Sequence, residues 1–122
     1  MTDVNDLATR YIGIWNEPDS DRRAAAIGEL FADDATYTDP LATVQGHEAV
    51  AALITGARDQ FQGLRFHVLG APDTHHNLTR FQWELVPEGG ADSIVIGFDV
   101  VATDKDNKIE QVLGFLDKVP TA

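Results

Sequence analysis

The chain has 122 residues, nine of them Lys or Arg against 20 Asp or Glu, for a formal net charge of −11 and no cysteine at all. That charge repels nucleic-acid phosphates and anionic membrane, and the lack of cysteine excludes disulfides, thiolate nucleophiles and cysteine-ligated metals. A chain this long buries roughly two thirds of its unfolded surface, so one domain over residues 1–122 is expected, and no apolar run approaches the roughly 18 residues of a membrane span. The opening stretch MTDVNDLATRY carries acids where a secretory signal has a basic region, so a cytoplasmic address is expected.

Val4, Leu7, Ala8, Tyr11, Ile14 and Trp15 recur at three- and four-residue spacing, which predicts a first helix ending near NEPD with Tyr11 on its inner face. Ser20 or Asp21 can cap a second helix, with Ala24, Ile27, Leu30 and Phe31 as its apolar stripe and Asp33 and Asp34 as solvated charges at its end. Gly46 opens a third helix whose Val50, Leu53, Ile54, Ala57 and Phe61 share a face, and Gly63 terminates it. Beyond Gly63 the period changes to two. Leu64 to Gly70, Leu78 to Val86, Ser93 to Ala102 and Lys108 to Val119 read as four strands, joined in part by the turns PEGG and DKDNK. Three helices followed by an antiparallel meander predict an α+β domain with helices covering one face of a curved sheet.

Two carboxylates stand apart from the other acids. In ADDATYTDPLATV, alternation places Asp39 on the face of Ala35 and Tyr37, and Pro40 restricts Asp39 to extended geometry, although Asp-Pro is also a common turn. In SIVIGFDVVA both strand faces are apolar, and Asp99 interrupts one of them with no Lys or Arg within four residues on either side. A carboxyl buried in such surroundings raises its pKa and stays protonated, which makes it a donor; an exposed strand edge or a distant basic partner is the plainer alternative. Gly97 on the same face removes side-chain bulk and marks either room for a ligand or a bulge.

With ATRYIGIWN (8–16), LFADDATYTDP (30–40), QGHEAVAAL (45–53) and FDVVATDKDNKIEQV (98–112), almost the whole chain resembles the NTF2-like superfamily, in its ketosteroid isomerase and SnoaL-like polyketide cyclase branches. The resemblance implies a cone of three N-terminal helices on a curved, mostly antiparallel sheet enclosing one pocket. It also implies roles: Tyr11 as the oxyanion-hole tyrosine, Asp39 as the proton-shuttling base and Asp99 as the protonated donor. Trp15, Phe31, Ile54, Val95 and Gly97 are the expected pocket lining. Phe31 and Ile54 stand where the isomerase supports its tyrosine with further tyrosines, a departure from its pattern.

The implied activity is cofactor-free proton transfer beside the carbonyl of a small apolar ligand, by isomerisation or aldol-type closure. A non-catalytic ligand-binding or dimerisation domain is the alternative, and an epoxide hydrolase-like activity a third. A homodimer through the outer sheet face is implied as well. His47, His67, His75 and His76 show no metal-ligand spacing, so no metal is expected, and DKDNK lacks the glycine and distal glutamate of a calcium loop. Phe81 and Trp83, alternating with Arg80, Gln82 and Glu84, read as core or dimer packing. Arg65 and His67 share a strand face with Leu69, toward either the pocket or solvent.

Overall fold

A computed structural model describes residues 4–90 and 92–120, without the side chains of residues 4–6, so the expected inward face of Val4 lies outside the described residues. Helix α1 (Val4–Asn16) buries Leu7, Ala8, Tyr11, Ile12, Ile14 and Trp15 at helical spacing. Its last carbonyls, which have no partner inside a helix, take cations that suit the negative end of the dipole. Arg58 Nη1 donates to Trp15 O at 2.8 Å, and just past the helix end Arg23 Nη1 donates to Glu17 O at 2.6 Å.

Helix α2 (Ser20–Leu30) is capped by Asp19, not by Ser20 or Asp21, because the Asp19 carboxylate reaches the amides of Asp21 and Arg22 at 2.8 and 3.1 Å. Its buried stripe is Arg23, Ile27 and Leu30, while Ala24 is exposed. Arg23 tolerates burial because its other Nη donates to Thr55 Oγ1 at 2.9 Å. The helix stops at Leu30, four residues before Asp34, and Phe31 is already extended at φ −100°, ψ 143°. Phe31, Ala35 and Tyr37 reach the core only along a strand, β1 (Phe31–Thr38), so Asp33 and Asp34 are solvated strand residues at a register shift and not helix-end charges.

A short β2 (Thr43–Gln45), absent from the sequence reading, pairs antiparallel with β1, and α3 (His47–Gln60) starts after Gly46, whose φ of 92° suits glycine. The remaining strands are β3 (Leu64–His75), β4 (Leu78–Pro87), β5 (Val95–Thr103) and β6 (Ile109–Lys118). β3 runs five residues past Gly70, the expected end. Gly70 turns at φ 69° inside a register shift between Leu69 and Asp73, and Pro72 is tolerated because β3 lies at the sheet edge. The six strands form one curved, unclosed sheet in the order β2-β1-β6-β5-β4-β3, in which β1 and β6 run parallel and every other pair antiparallel.

The helices cover one face, with α1 against β3 and β4 and α3 against β1 and β2. The Asn16 side chain accepts from Phe66 N at 2.8 Å and donates to Phe66 O at 2.9 Å, which pins the end of α1 to β3. That clamp fixes Tyr11 and Trp15 over the sheet. On the outer face Arg65 and His67 are exposed, which settles their direction, and Leu113 and Phe115 stand 38% and 58% exposed. Among the described residues, no helix is long and apolar enough to cross a membrane.

Candidate active site

Between the helices and the sheet lies a cavity of about 440 Å³, within the range of small-molecule sites. Tyr11, Trp15, Asp39, Val95 and Asp99 all line it, so the three polar groups singled out in the sequence converge on one space.

Asp39 follows the end of β1, and its backbone N–H donates to Ala42 O at 2.9 Å. Its Oδ1 accepts from the amides of Leu41 and Ala42 at 2.8 and 2.9 Å, and its Oδ2 accepts from Tyr37 Oη at 2.8 Å. The Asp-Pro turn is present, and that turn itself holds the carboxylate in the cavity wall. Tyr37 is buried, and burial first, then the Asp39 charge, pushes its hydroxyl pKa up, so it stays a donor.

Asp99 sits on the inner face of β5 and is 4% exposed. Among the described residues the ion pairs are His47 with Asp33 at 4.0 Å and Arg80 with Asp73 at 3.5 Å, so no cation offsets it. Burial pushes its pKa up to about 7; the nearby Trp83 and Tyr11 act in the opposite sense, and the Asp39 charge adds to the rise. Tyr11 is 1% exposed, and its hydroxyl has no hydrogen-bond partner among the described residues. Burial, followed by the proximity of Asp99, raises its pKa well above the ordinary tyrosine value.

Gly114, opposite Asp99 in the β5–β6 register, separates the two carboxyls. A Cβ there would lie 2.9 Å from Asp99 Oδ1 and 3.4 Å from Asp39 Cβ. Gly114→Ala is expected to cost about 1–3 kcal/mol by overpacking and to displace Asp99. Chemical denaturation checks the cost, and unchanged stability would mean that the floor yields freely.

Three residues expected to line the pocket lie behind its wall. Phe31 and Ile54 are core residues, each 1% exposed, and the Phe31 ring packs 6.2 Å from that of Tyr11. The space left by the missing side chain of Gly97 is filled by the Trp83 indole, its cross-strand partner, and not by a ligand. Trp83 itself lines the cavity while Phe81 is in the core, 5.8 Å from Tyr11 edge-on, so the two aromatics of β4 divide between roles. Tyr37 and Gly114 were missed as site residues. Tyr37 had a signal in its alternation with Asp39, and Gly114 had one as a glycine inside a strand. His75 and His76 are exposed at the β3–β4 turn, outside this cavity.

The profile of the SnoaL-like domain family matches residues 8–112. Among solved structures, a SnoaL-like family protein from Agrobacterium tumefaciens, provisionally described as an isomerase, is 41% identical over 96% of this chain and 99% of its own, with a TM-score of 0.91. A provisionally assigned polyketide cyclase from Sinorhizobium meliloti is 19% identical over 89% of this chain and 93% of its own, with a TM-score of 0.70. A hypothetical protein of ketosteroid isomerase-like fold from Catenulispora acidiphila, in complex with trimethylamine, is 17% identical over 89% and 83%, with a TM-score of 0.71. The last two share the fold alone. None of the curated proteins matches the sequence. By its sequence profile and its 41% identical neighbour, the chain belongs to the SnoaL-like domain family, within the NTF2-like and ketosteroid isomerase-like fold.

Proposed function

We propose that this chain is a cytoplasmic enzyme of proton transfer beside a carbonyl, acting on a small apolar ketone as an isomerase or aldol-type cyclase. One observation carries the reading: across Gly114, a buried carboxyl with no counter-charge among the described residues faces the same cavity as a carboxylate fixed by three donors. Asp39 takes the α-proton as general base. The C–H electron pair moves into the carbonyl, whose oxygen gains charge and accepts hydrogen bonds from Tyr11 and neutral Asp99; protonated Asp39 then returns the proton to carbon. The provisional isomerase description of the 41% identical neighbour supports this class of reaction. A bicyclic ketone such as 2-tetralone, incubated in D₂O, tests it. Deuterium should enter the α-positions faster with the protein than in buffer, and equal rates would leave a binding domain.

We infer also that the outer sheet face pairs two copies of the chain. Leu113 and Phe115 are exposed there, and across the register they meet the half-buried Val100 and Phe98, a contiguous apolar patch. Leu113 is not part of the cavity lining, so Leu113→Glu addresses the interface alone. Light scattering should read twice the chain mass for the native protein and the single mass for the variant; a monomeric native protein would refute the pairing.

A further inference from the structure

We propose that a second cavity, next to the ketone site, binds a phosphate group between the guanidinium groups of Arg23 and Arg58. This site stands whether or not the chain transfers protons.

Between the α1–α2 turn, α3 and the start of β3 lies a cavity of about 240 Å³, whose lining includes Arg23, Thr55, Arg58, Asp59 and Gln62. Arg23 is 4% exposed and Arg58 is half-buried. A guanidinium keeps its charge inside a protein, and a buried charge is costly unless an opposite charge meets it. Among the described residues, no carboxylate lies within 4.0 Å of either group. The Glu17 and Asp19 carboxylates accept from backbone amides instead, and Asp59, although part of the lining, is exposed. What the two arginines meet is neutral: Glu17 O, Thr55 Oγ1 and Trp15 O.

Capping the end of α1 accounts for one bond from each arginine but not for the pair. The helix end offers roughly half a negative charge, against two full positive ones. Arg23 also sits one turn into α2, near the end where the dipole disfavours a cation. Each guanidinium is a planar fork of donors, and Thr55, which accepts from Arg23, keeps a hydroxyl hydrogen to give. Two forks and a hydroxyl suit the oxygens of a phosphate, whose charge of nearly two at neutral pH matches the pair. In a chain of net charge −11, two of only nine Lys or Arg residues meet here, so a single phosphate group fits and a polyanion does not. Phe61 and Phe66 line both cavities. The phosphate can therefore arrive as the free ion or on an aromatic ester whose ring packs on that shared wall.

The test titrates the native protein at constant ionic strength with inorganic phosphate, phenyl phosphate and chloride. Binding is followed at the arginine Nε–Hε resonances, assigned through bonds. Arg23 and Arg58 should shift saturably with a Kd of about 1 mM for phosphate, while the exposed Arg22 and Arg65 and the chloride titration show no such saturation. Arg58→Gln should weaken binding about tenfold, and Arg58→Lys, which keeps the charge and loses the fork, about threefold. Equal affinity for the two phosphates identifies the free ion as the occupant, and tighter binding of the ester identifies an organic phosphate. The proposal is overturned by the absence of a saturable shift with either phosphate, by an equal response to chloride, by an equal response of Arg22 and Arg65, or by undiminished affinity in Arg58→Gln. The comparison among arginines is made within the native protein and needs no variant to fold.

Discussion

Asp39→Asn should lower the rate of α-deuteration by roughly a thousandfold, the contribution expected of a positioned general base. The substitution removes the basic carboxylate and little else. Asparagine keeps an oxygen for the amides of Leu41 and Ala42, and its amide nitrogen can donate to Tyr37 Oη, so the turn that holds residue 39 survives. Stability should stay within about 1 kcal/mol of the native protein. A loss in kcat with KM unchanged would identify a group acting in the transition state, whereas an unchanged rate would remove Asp39 from the mechanism.

The second large effect is on stability. Asp99 has a folded pKa of about 7 against an ordinary value of 3.8, so the folded chain binds this proton more tightly than the unfolded chain. Between those values the folded state holds more protons, and stability falls as pH rises, by about 1.36 kcal/mol per unit. Across the full window the loss is on the order of 4 kcal/mol, complete once the pH passes the folded pKa. Asp99→Asn, neutral at every pH, should abolish that slope and be the more stable protein at pH 8. Urea denaturation of both proteins between pH 4 and 8 measures it, and parallel profiles would contradict the buried, unpaired carboxyl. Turnover should likewise fall as pH rises through about 7, because ionised Asp99 no longer donates to the enolate oxygen.

What the sequence disclosed follows from which interactions are local. Helical and strand periodicity located α1, α3 and β3 to β6, and the apolar run around Asp99 announced a carboxyl without a local counter-charge, which among the described residues stays unpaired as well. Asp39 was legible because Pro40 and the alternation with Tyr37 act within a few residues. The larger errors were tertiary. Nothing near Gly97 in the chain signals that the Trp83 indole fills its space, since the pairing depends on the β4–β5 register. The end of α2 was misplaced because Phe31 fits a helical stripe as well as a strand, and only the core decides between them. Asp19 was overlooked as a cap although it is the better one, an ambiguity of one residue among three adjacent polar side chains.

The most direct single measurement is the titration of the Asp99 side-chain carboxyl carbon by ¹³C NMR, assigned by its loss in Asp99→Asn. A midpoint near pH 7 keeps Asp99 a neutral donor on the cavity floor below that pH and half ionised at it, as enolate stabilisation and the fall in turnover through pH 7 require. A midpoint near 4, the value of a solvated aspartate, would leave Asp99 charged in the cavity and contradict the proposed chemistry.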